Sequence, residues 1–546
     1  MNIEVKFNNK FMFYEKTFLN KRILVKGYCI FEDQIYTELS FINLINKYSD
    51  TIENVEYFLN KIDGLFIFYI ETEDNVVFSV DLIRSLPIFY SLRNSDLVIS
   101  DDANYIKSKL KLDTLNNDNV EEFIATSFVS GNQTLIDNLY QVESGQFVVF
   151  RKSLKTILTK NYFYYHASIV QNKNIDELYD KIQTIESNTF SKLIKSLNNK
   201  TCVIPLSGGY DSRYIVSMLK KLNYKKVICY TYGKEDSFEV NISKKVADQL
   251  GFEWIYINYT ESLVKETVDS LKFKDFNIYA SGLSSVPHFQ DFIAVNYLHT
   301  KKLIPEDSVF IPGHSGDLLG GSHLRGIIST MKSKYIHNLN DLSTIIKKHF
   351  YKKNYANSTN LDSSIYKEKI DNYFLNLKDY KTKNYIFLSD TWDISNRQAK
   401  FIVNSCRVYD FFNYEFRLPL FDKELSLFWL SIPIKYKLNQ ILYENYLDRV
   451  VFSKEKIAFS KRKIVLNNSF KIILKGMLGE KIFGFIKKIL LNKKQDEMVF
   501  NCFNLFNKHM SKTITTKEYQ FSHFHIDHMS AVWYLQLLKE CNDNNN

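Results

Sequence analysis

A seven-residue run, Ser207-Gly208-Gly209-Tyr210-Asp211-Ser212-Arg213, leaves few folds open to the chain around it. It follows a short apolar stretch, Cys202-Val203-Ile204-Pro205-Leu206, and precedes a segment of helical spacing from about Ser212 to Leu222. A buried strand that enters a helix through two glycines presents bare backbone amides at a helix N-terminus. Gly208 and Gly209 permit close approach of a ligand and backbone angles barred to other residues. The free N–H groups and positive dipole end of the helix attract an anion. The Ser207 and Ser212 hydroxyls add donors for phosphate oxygens. Asp211 repels phosphate unless a divalent cation bridges the two, so its presence points to Mg²⁺.

The flanking pattern extends this reading. A second strand (226–231), a second helix (239–250), a third strand (254–257) and a later strand, Val309-Phe310-Ile311, alternate at the spacing of βαβ units. That alternation predicts a parallel sheet with its ligand at the carboxyl ends of the strands. Residues 1 to about 165 read differently, as short strands with turn signals. Gly64–Ile70 and Val76–Val80 form a hairpin pattern, Gln146–Phe150 is another strand, and a helix-like stretch lies at 119–126. Helical periodicity begins again at 176–197 and dominates beyond about residue 330. At 546 residues the chain has room for two or three domains. The expected divisions are 1–165, 175–460 and 461–546.

Composition narrows the class. Seven prolines and 17 glycines argue against long low-complexity stretches, and 45% hydrophobic residues suffice for ordinary cores. A net charge of +10 over this length reads as a solvated basic surface, not a nucleic-acid footprint. Six scattered cysteines with no C-x-x-C pair suggest reduced thiols rather than a disulfide frame or zinc site. No apolar h-region and no span of about 18 apolar residues is visible, so a cytoplasmic protein without membrane insertion is expected.

The loop lacks the lysine and spacing of a Walker A motif. It matches the S-G-G-x-D-S signature of the PP-loop ATP pyrophosphatases, and the chain as a whole resembles the asparagine synthetase family, in detail the asparagine-synthase-related proteins found with surface-polysaccharide genes. Gly64–Phe68, Asp81–Tyr90 and Thr134–Gln146 resemble that family's N-terminal domain. Tyr230–Gly233 follows the second strand where the family holds adenine, and Glu415-Phe416-Arg417-Leu418-Pro419-Leu420-Phe421-Asp422 resembles its R-x-P-[FL]-x-D block. The resemblance implies an α+β N-terminal domain of class II glutaminase (Ntn) type, an α/β PP-loop domain of the adenine nucleotide alpha hydrolase kind, and a helical C-terminal extension. It implies a carbon–nitrogen ligase that uses ATP and Mg²⁺ to convert a carboxylate into its adenylate, releasing pyrophosphate and then AMP. Aspartate is the default carboxylate and a uronic or other sugar acid the competitor. The ATP contacts carried over are Leu206, Ser207, Gly208, Gly209, Asp211, Ser212, Thr231, Tyr232, Gly233 and Gly313. Asp211 and Asp317 are the expected metal carboxylates and, with Arg213, the expected catalytic groups. A homodimer is compatible with the family.

Three departures stand out. The family's glutamine-using members carry a nucleophilic cysteine at position 2; here it is Asn2, and no R-G-P-D-type segment for glutamine follows. The N-terminal domain is therefore expected to lack glutaminase chemistry, so that ammonia or an amine comes from solution or from a separate glutaminase. In Gly313-His314-Ser315-Gly316-Asp317-Leu318-Leu319-Gly320-Gly321, Asp317 falls one place from the family's aspartate. The family's lysine after the R-x-P block is absent where Leu442 or Tyr443 falls, leaving Arg213, Lys437 or Arg397 as the cation for the leaving pyrophosphate. The rival reading is a degenerate, non-catalytic nucleotide-binding partner protein. His523–His528, the basic run Lys461-Arg462-Lys463 and the basic amphipathic stretch 470–491 are read as a helix entry and surface helix.

Overall fold

Long strands of nearly continuous apolar residues need cover on both faces, and the N-terminal part of the chain supplies it from two directions. The computed structural model describes residues 2–169, 174–235, 237–330, 338–351, 364–377, 385–459, 501–515 and 526–543. In its N-terminal part, β1 (Ile3–Lys6), β2 (Tyr14–Thr17), β3 (Arg22–Phe31), β4 (Gln34–Thr37), β5 (Asp63–Glu71), β6 (Asn75–Val80), β7 (Phe89–Arg93), β8 (Asp96–Ser100), β9 (Tyr140–Gln141), β10 (Gln146–Arg151) and β11 (Thr156–Asn161) form two sheets. One runs β11-β10-β6-β5-β3-β2 with β4 also on β3; the other runs β1-β8-β7-β9. Only β1–β8 is parallel among their pairings. The expected hairpin is β5–β6, and the helix-like stretch lies within the helix Asn117–Thr126.

Helices Glu38–Lys47 and Ile52–Lys61 cover one face of the larger sheet, with Phe41 edge-on to Phe66 at 5.8 Å. The smaller sheet covers the other, Phe78 meeting Tyr90 at 5.4 Å. Gly27 lets β3 and β5 close on each other: at φ +90°, a Cβ there would lie 2.1 Å from the Leu65 carbonyl oxygen.

The second part is built on β12 (Cys202–Pro205), β13 (Val227–Gly233), β14 (Glu253–Asn258), β15 (Val309–Phe310) and β16 (Glu415–Phe416), all parallel, in the order β14-β13-β12-β15-β16. Strand order reverses at β12, whose neighbours β13 and β15 leave in opposite directions. A crevice therefore opens at its carboxyl end, the place where open α/β sheets bind ligands. The sequence predicted this sheet but not β16, which lies in the stretch expected to be helical. Two residues are too few for a periodicity signal, and it is pairing with Val309 and Phe310 that makes them a strand.

The two parts meet through a shared apolar core, where Phe11 packs on Phe416 at 4.8 Å, and through polar contacts. The Lys423 amide donates to Asp63 Oδ2 at 3.0 Å, and the Tyr165 hydroxyl to the Phe421 carbonyl at 3.2 Å. Towards the C-terminus, helices Asn501–Thr513 and Ile526–Asp543 pack back on the body, where Tyr534 meets Phe123 at 5.8 Å and accepts from Ser281 Oγ at 2.6 Å. The expected basic helix at 470–491, the basic run at 461–463 and His523–His525 lie outside the described residues. Among the described residues no helix is long and apolar enough to cross a membrane.

Candidate active site

The loop after β12 is held at its base by strand pairing. The Leu206 amide donates to the Tyr230 carbonyl at 2.9 Å, and Thr231 Oγ1 donates to the Leu206 carbonyl at 2.7 Å. Thr231 is buried against Ser243 as well, so it ties β13 to the loop's entry. Inside the loop, Ser212 Oγ accepts from the Ser207 amide at 3.1 Å and Ser207 Oγ from the Gly209 amide at 3.1 Å. The helix runs Tyr210–Lys221, two residues earlier than its periodicity suggested, and Gly209 caps it without a side chain. Its first amides therefore face the crevice. Glu239, which the sequence did not single out, accepts from the Gly208 amide. An anion bound on that amide shares it with Glu239 or displaces it. Burial raises the Glu239 carboxyl above its ordinary range, which eases that exchange.

Asp211 projects from the first turn of this helix into a second glycine loop. Its Oδ1 accepts from the Tyr443 hydroxyl at 2.8 Å and its Oδ2 from the Asp317 amide at 2.9 Å. A Cβ on Gly313 would stand 2.7 Å from the Ser212 amide, and one on Gly316 would stand 2.6 Å from Asp211 Cγ and 2.6 Å from the Tyr443 hydroxyl. The two loops touch only because neither glycine carries a side chain. Gly316→Ala is expected to push Asp211 off the Tyr443 hydroxyl and lower stability by about 1–3 kcal/mol, a loss read in a denaturant melt.

Of the expected residues, Asp211, Asp317, Gly313 and Ser207 to Ser212 thus meet in one place. The Asp317 carboxylate is exposed and accepts from Ser322 Oγ at 3.0 Å. Tyr232 stacks on Tyr259 at 4.8 Å, and Gly233, at φ +121°, has open space where a Cβ would be. Among the described residues no three His, Cys, Asp or Glu side chains converge as a metal cage. Magnesium needs none, since one or two carboxylates suffice when phosphates and waters complete the shell. Asp211 and Asp317 fit that donor set.

The three candidate cations separate. Arg213 is 1% exposed and turned away from the crevice mouth. Its guanidinium donates to the carbonyls of Gly208 at 2.7 Å and of Ile457 and Phe459, each at 3.1 Å. The structure places the Arg213 guanidinium behind the loop, which it braces through these carbonyls. Arg397 lies 3.9 Å from Asp393 and is partly exposed. Lys437 packs against the Gly320-Gly321 turn, where a Cβ on Gly321 would come within 2.7 Å of its carbonyl oxygen and 2.9 Å of its Cβ. Its ammonium, fully buried, lies 3.0 Å from Asp390, whose other oxygen meets His323 Nε2 at 2.6 Å. Burial pushes the Asp390 carboxyl up, but the Lys437 ammonium and the His323 ring overcome it and hold it down at about 2. Behind the loop, His314 bonds Ser405 at 2.6 Å and Ser315 donates to Gln398 at 2.6 Å. Burial drives His314 down to about 4, and burial followed by His314 and Arg397 drives His288 down to about 3, so both rings are neutral.

Where the family carries a lysine, this chain has Leu442 or Tyr443, and the Tyr443 hydroxyl, not a cation, touches Asp211. Cys29 is fully buried, and burial pushes its thiol well above the ordinary range, which leaves it unsuited to nucleophilic attack.

A family model described as asparagine synthase matches residues 198–474. The microcin J25-processing protein McjC of Escherichia coli is 22% identical over 241 residues, covering 42% of this chain and 42% of that protein. The tRNA-specific 2-thiouridylase MnmA of Ehrlichia canis is 27% identical over 132 residues, 22% of this chain and 35% of that one. The chain therefore spans less than half the length of these curated relatives. Among solved structures, an NH3-dependent NAD synthetase from Campylobacter jejuni aligns at 15% identity and a TM-score of 0.20, over 42% of this chain and 96% of that one. A glutamine phosphoribosylpyrophosphate amidotransferase from B. subtilis aligns at 10% and 0.19, over 55% and 63%.

Proposed function

The chain belongs to the asparagine synthase family, and on that premise we propose that it uses ATP to activate a carboxylate and passes the acyl group to ammonia or another amine. The observation that carries this reading is the meeting of Asp211, Asp317 and the amide-lined loop at the carboxyl end of β12. In the proposed reaction a substrate carboxylate oxygen attacks the α-phosphorus of ATP, and the bond to pyrophosphate breaks. The amine nitrogen then attacks the acyl carbon, the bond to AMP breaks, and the amine gives up a proton.

The amides at the helix start are the pre-placed donors for phosphate oxygens, an anion would take the Gly208 amide over from Glu239, and Ser207 and Ser212 hold the loop in shape, Ser207 Oγ through the Gly209 amide. Magnesium held by Asp211 and Asp317 would neutralise charge on the phosphates. Lys437, whose backbone abuts the Gly320-Gly321 turn, is the cation we assign to the departing pyrophosphate in place of Arg213; its ammonium is buried on Asp390 and would have to leave that pairing to reach the phosphate. Tyr232 and Gly233 are the proposed adenine edge. We assign residues 1–165 to a glutaminase-like domain that does not release ammonia from glutamine, 175–460 to the synthetase domain and 461–546 to an extension. Aspartate and sugar acids are the carboxylates to test first.

The test is pyrophosphate release from MgATP across a panel of carboxylates, with ammonium or glutamine supplied. The expected result is release that depends on one carboxylate and whose amide product forms with ammonium but not with glutamine alone. ATP binding without release from any carboxylate would instead mark a nucleotide-binding partner protein, with Glu239 on the Gly208 amide as its structural sign.

A further inference from the structure

A cavity of about 660 Å³ lies away from the nucleotide loop, between residues 116–161 of the N-terminal part and residues 368–396 of the second part. It is within the size range of small-molecule sites, which are usually lined by apolar side chains. This one is not. Nine of its 19 lining residues are asparagine or glutamine, against 63 of 546 in the whole chain. That enrichment is about fourfold, so base composition alone does not account for it.

The carboxamides divide into two sets. Those in the walls are committed: Asn119 donates to the Thr134 carbonyl at 2.7 Å and accepts from Lys369 at 2.6 Å, and Asn396 accepts from the Gly131 amide at 3.1 Å. These bonds fix the shape of the space. Gln133, Asn372 and Asn376 line the same space without a side-chain hydrogen bond among the described residues. Asn372 and Asn376 are four residues apart at the end of the helix Ser364–Leu375, both exposed. Each free carboxamide offers two donors and an acceptor.

Charge narrows the ligand. The lining holds no arginine, and its one lysine, Lys369, is paired with Glu122 at 2.6 Å. Three carboxylates also face the space: Asp118 and Glu368, and Glu143, which lies 3.8 Å from the buried Lys400 ammonium behind the wall. An anion is therefore repelled, which separates this cavity from the phosphate loop and from acidic sugars. The rings of Tyr164 and Tyr373, half-buried in the lining, provide flat apolar faces. A ligand that donates and accepts around its rim while presenting a flat apolar face suits this lining.

We propose that this cavity binds a neutral carbohydrate of one or two sugar rings, held by the side-chain amides of Gln133, Asn372 and Asn376. The site stands apart from the ATP reading and survives its failure. The same helical stretch that carries Asp390 to the Lys437 ammonium carries Trp392 and Asn396 into this wall.

Saturation-transfer NMR on the full chain tests it, with glucose, N-acetylglucosamine, maltose and chitobiose as neutral probes at millimolar concentration. Glucuronate, spermidine and a neutral tetrapeptide serve as rivals. At least one neutral sugar should show transfer. Its affinity should fall at least about tenfold in Asn372→Leu/Asn376→Leu, the loss of two hydrogen bonds. Both positions are exposed, so the thermal midpoint and ATP binding of that variant should match those of the parent. Silence from every neutral sugar, undiminished transfer in the double variant, or a stronger response to any rival overturns the assignment.

Discussion

Asp211→Asn should lower carboxylate-dependent pyrophosphate release by about 10³-fold while leaving the fold intact. The side chain accepts from the Tyr443 hydroxyl at 2.8 Å and from the Asp317 amide at 2.9 Å. An asparagine keeps both contacts. Its oxygen accepts from the Asp317 amide, and its NH₂ donates to the Tyr443 oxygen, which accepts as readily as it donates. What disappears is the negative charge, and with it the ability to hold a divalent cation against the phosphates. Single-turnover pyrophosphate release gives the rate, and a thermal melt shows whether stability is kept. A variant within about tenfold of the parent would remove Asp211 from the chemistry and, with it, the metal role of this loop. Asp317→Asn is the companion: its carboxylate is exposed, so any loss of rate there comes without a change in melting.

Lys437→Met should cost stability as well as rate. Asp390 is 1% exposed; its charge is balanced by the Lys437 ammonium at 3.0 Å, and His323 Nε2 lies 2.6 Å from its other oxygen. Removing one partner of a buried pair strands the other, typically at about 3–5 kcal/mol. Removing both charges together strands neither, so Lys437→Met/Asp390→Asn should recover most of the stability. If Lys437 also serves the departing pyrophosphate, the double variant stays inactive although it folds, and recovery of rate would show that the cluster is only structural. The parent protein should carry the pH signature of this cluster. Asp390 titrates at about 2 in the folded chain against an ordinary 3.8. A carboxyl depressed on folding stabilises above its unfolded value. That contribution, ~2 kcal/mol, is fully present above pH ~4 and is lost as pH falls towards ~2. Denaturant midpoints measured from pH ~5 to ~2 should fall more steeply in the parent than in Lys437→Met/Asp390→Asn.

The nucleotide loop was readable in the sequence because its chemistry is local. Ser207 to Ser212 spans six residues, and its flanking strand and helix announce themselves by apolar spacing. Paired glycines at 208 and 209, between that strand and that helix, mark a turn shaped for close approach of phosphate. Asp317 was readable as a candidate for the same reason, since it sits inside its own glycine loop. Arg213 shows how far such reading reaches. An arginine next to a phosphate loop points to catalysis in one dimension. In three, the guanidinium finds three carbonyls behind the loop, two of them 244 and 246 residues along the chain.

The groups that the sequence did not single out all depend on distant partners. Tyr443 reaches Asp211 across 232 residues, and Glu239 reaches the Gly208 amide across 31. Lys437 is one of three candidate cations in the sequence, and only the fold pairs it with Asp390 at 3.0 Å. The polar cavity left no trace in the sequence, since its amides come from separate stretches between residues 116 and 396. The strand–loop–helix unit and the parallel sheet around it follow from residue order alone, because periodicity and glycine placement act within a few residues. Which carbonyls take Arg213, which carboxylate takes Lys437, which tyrosine holds Asp211 and which amides share a cavity were decided only by tertiary packing. Side chains far apart in the chain become partners when the sheet brings the ends of its strands together.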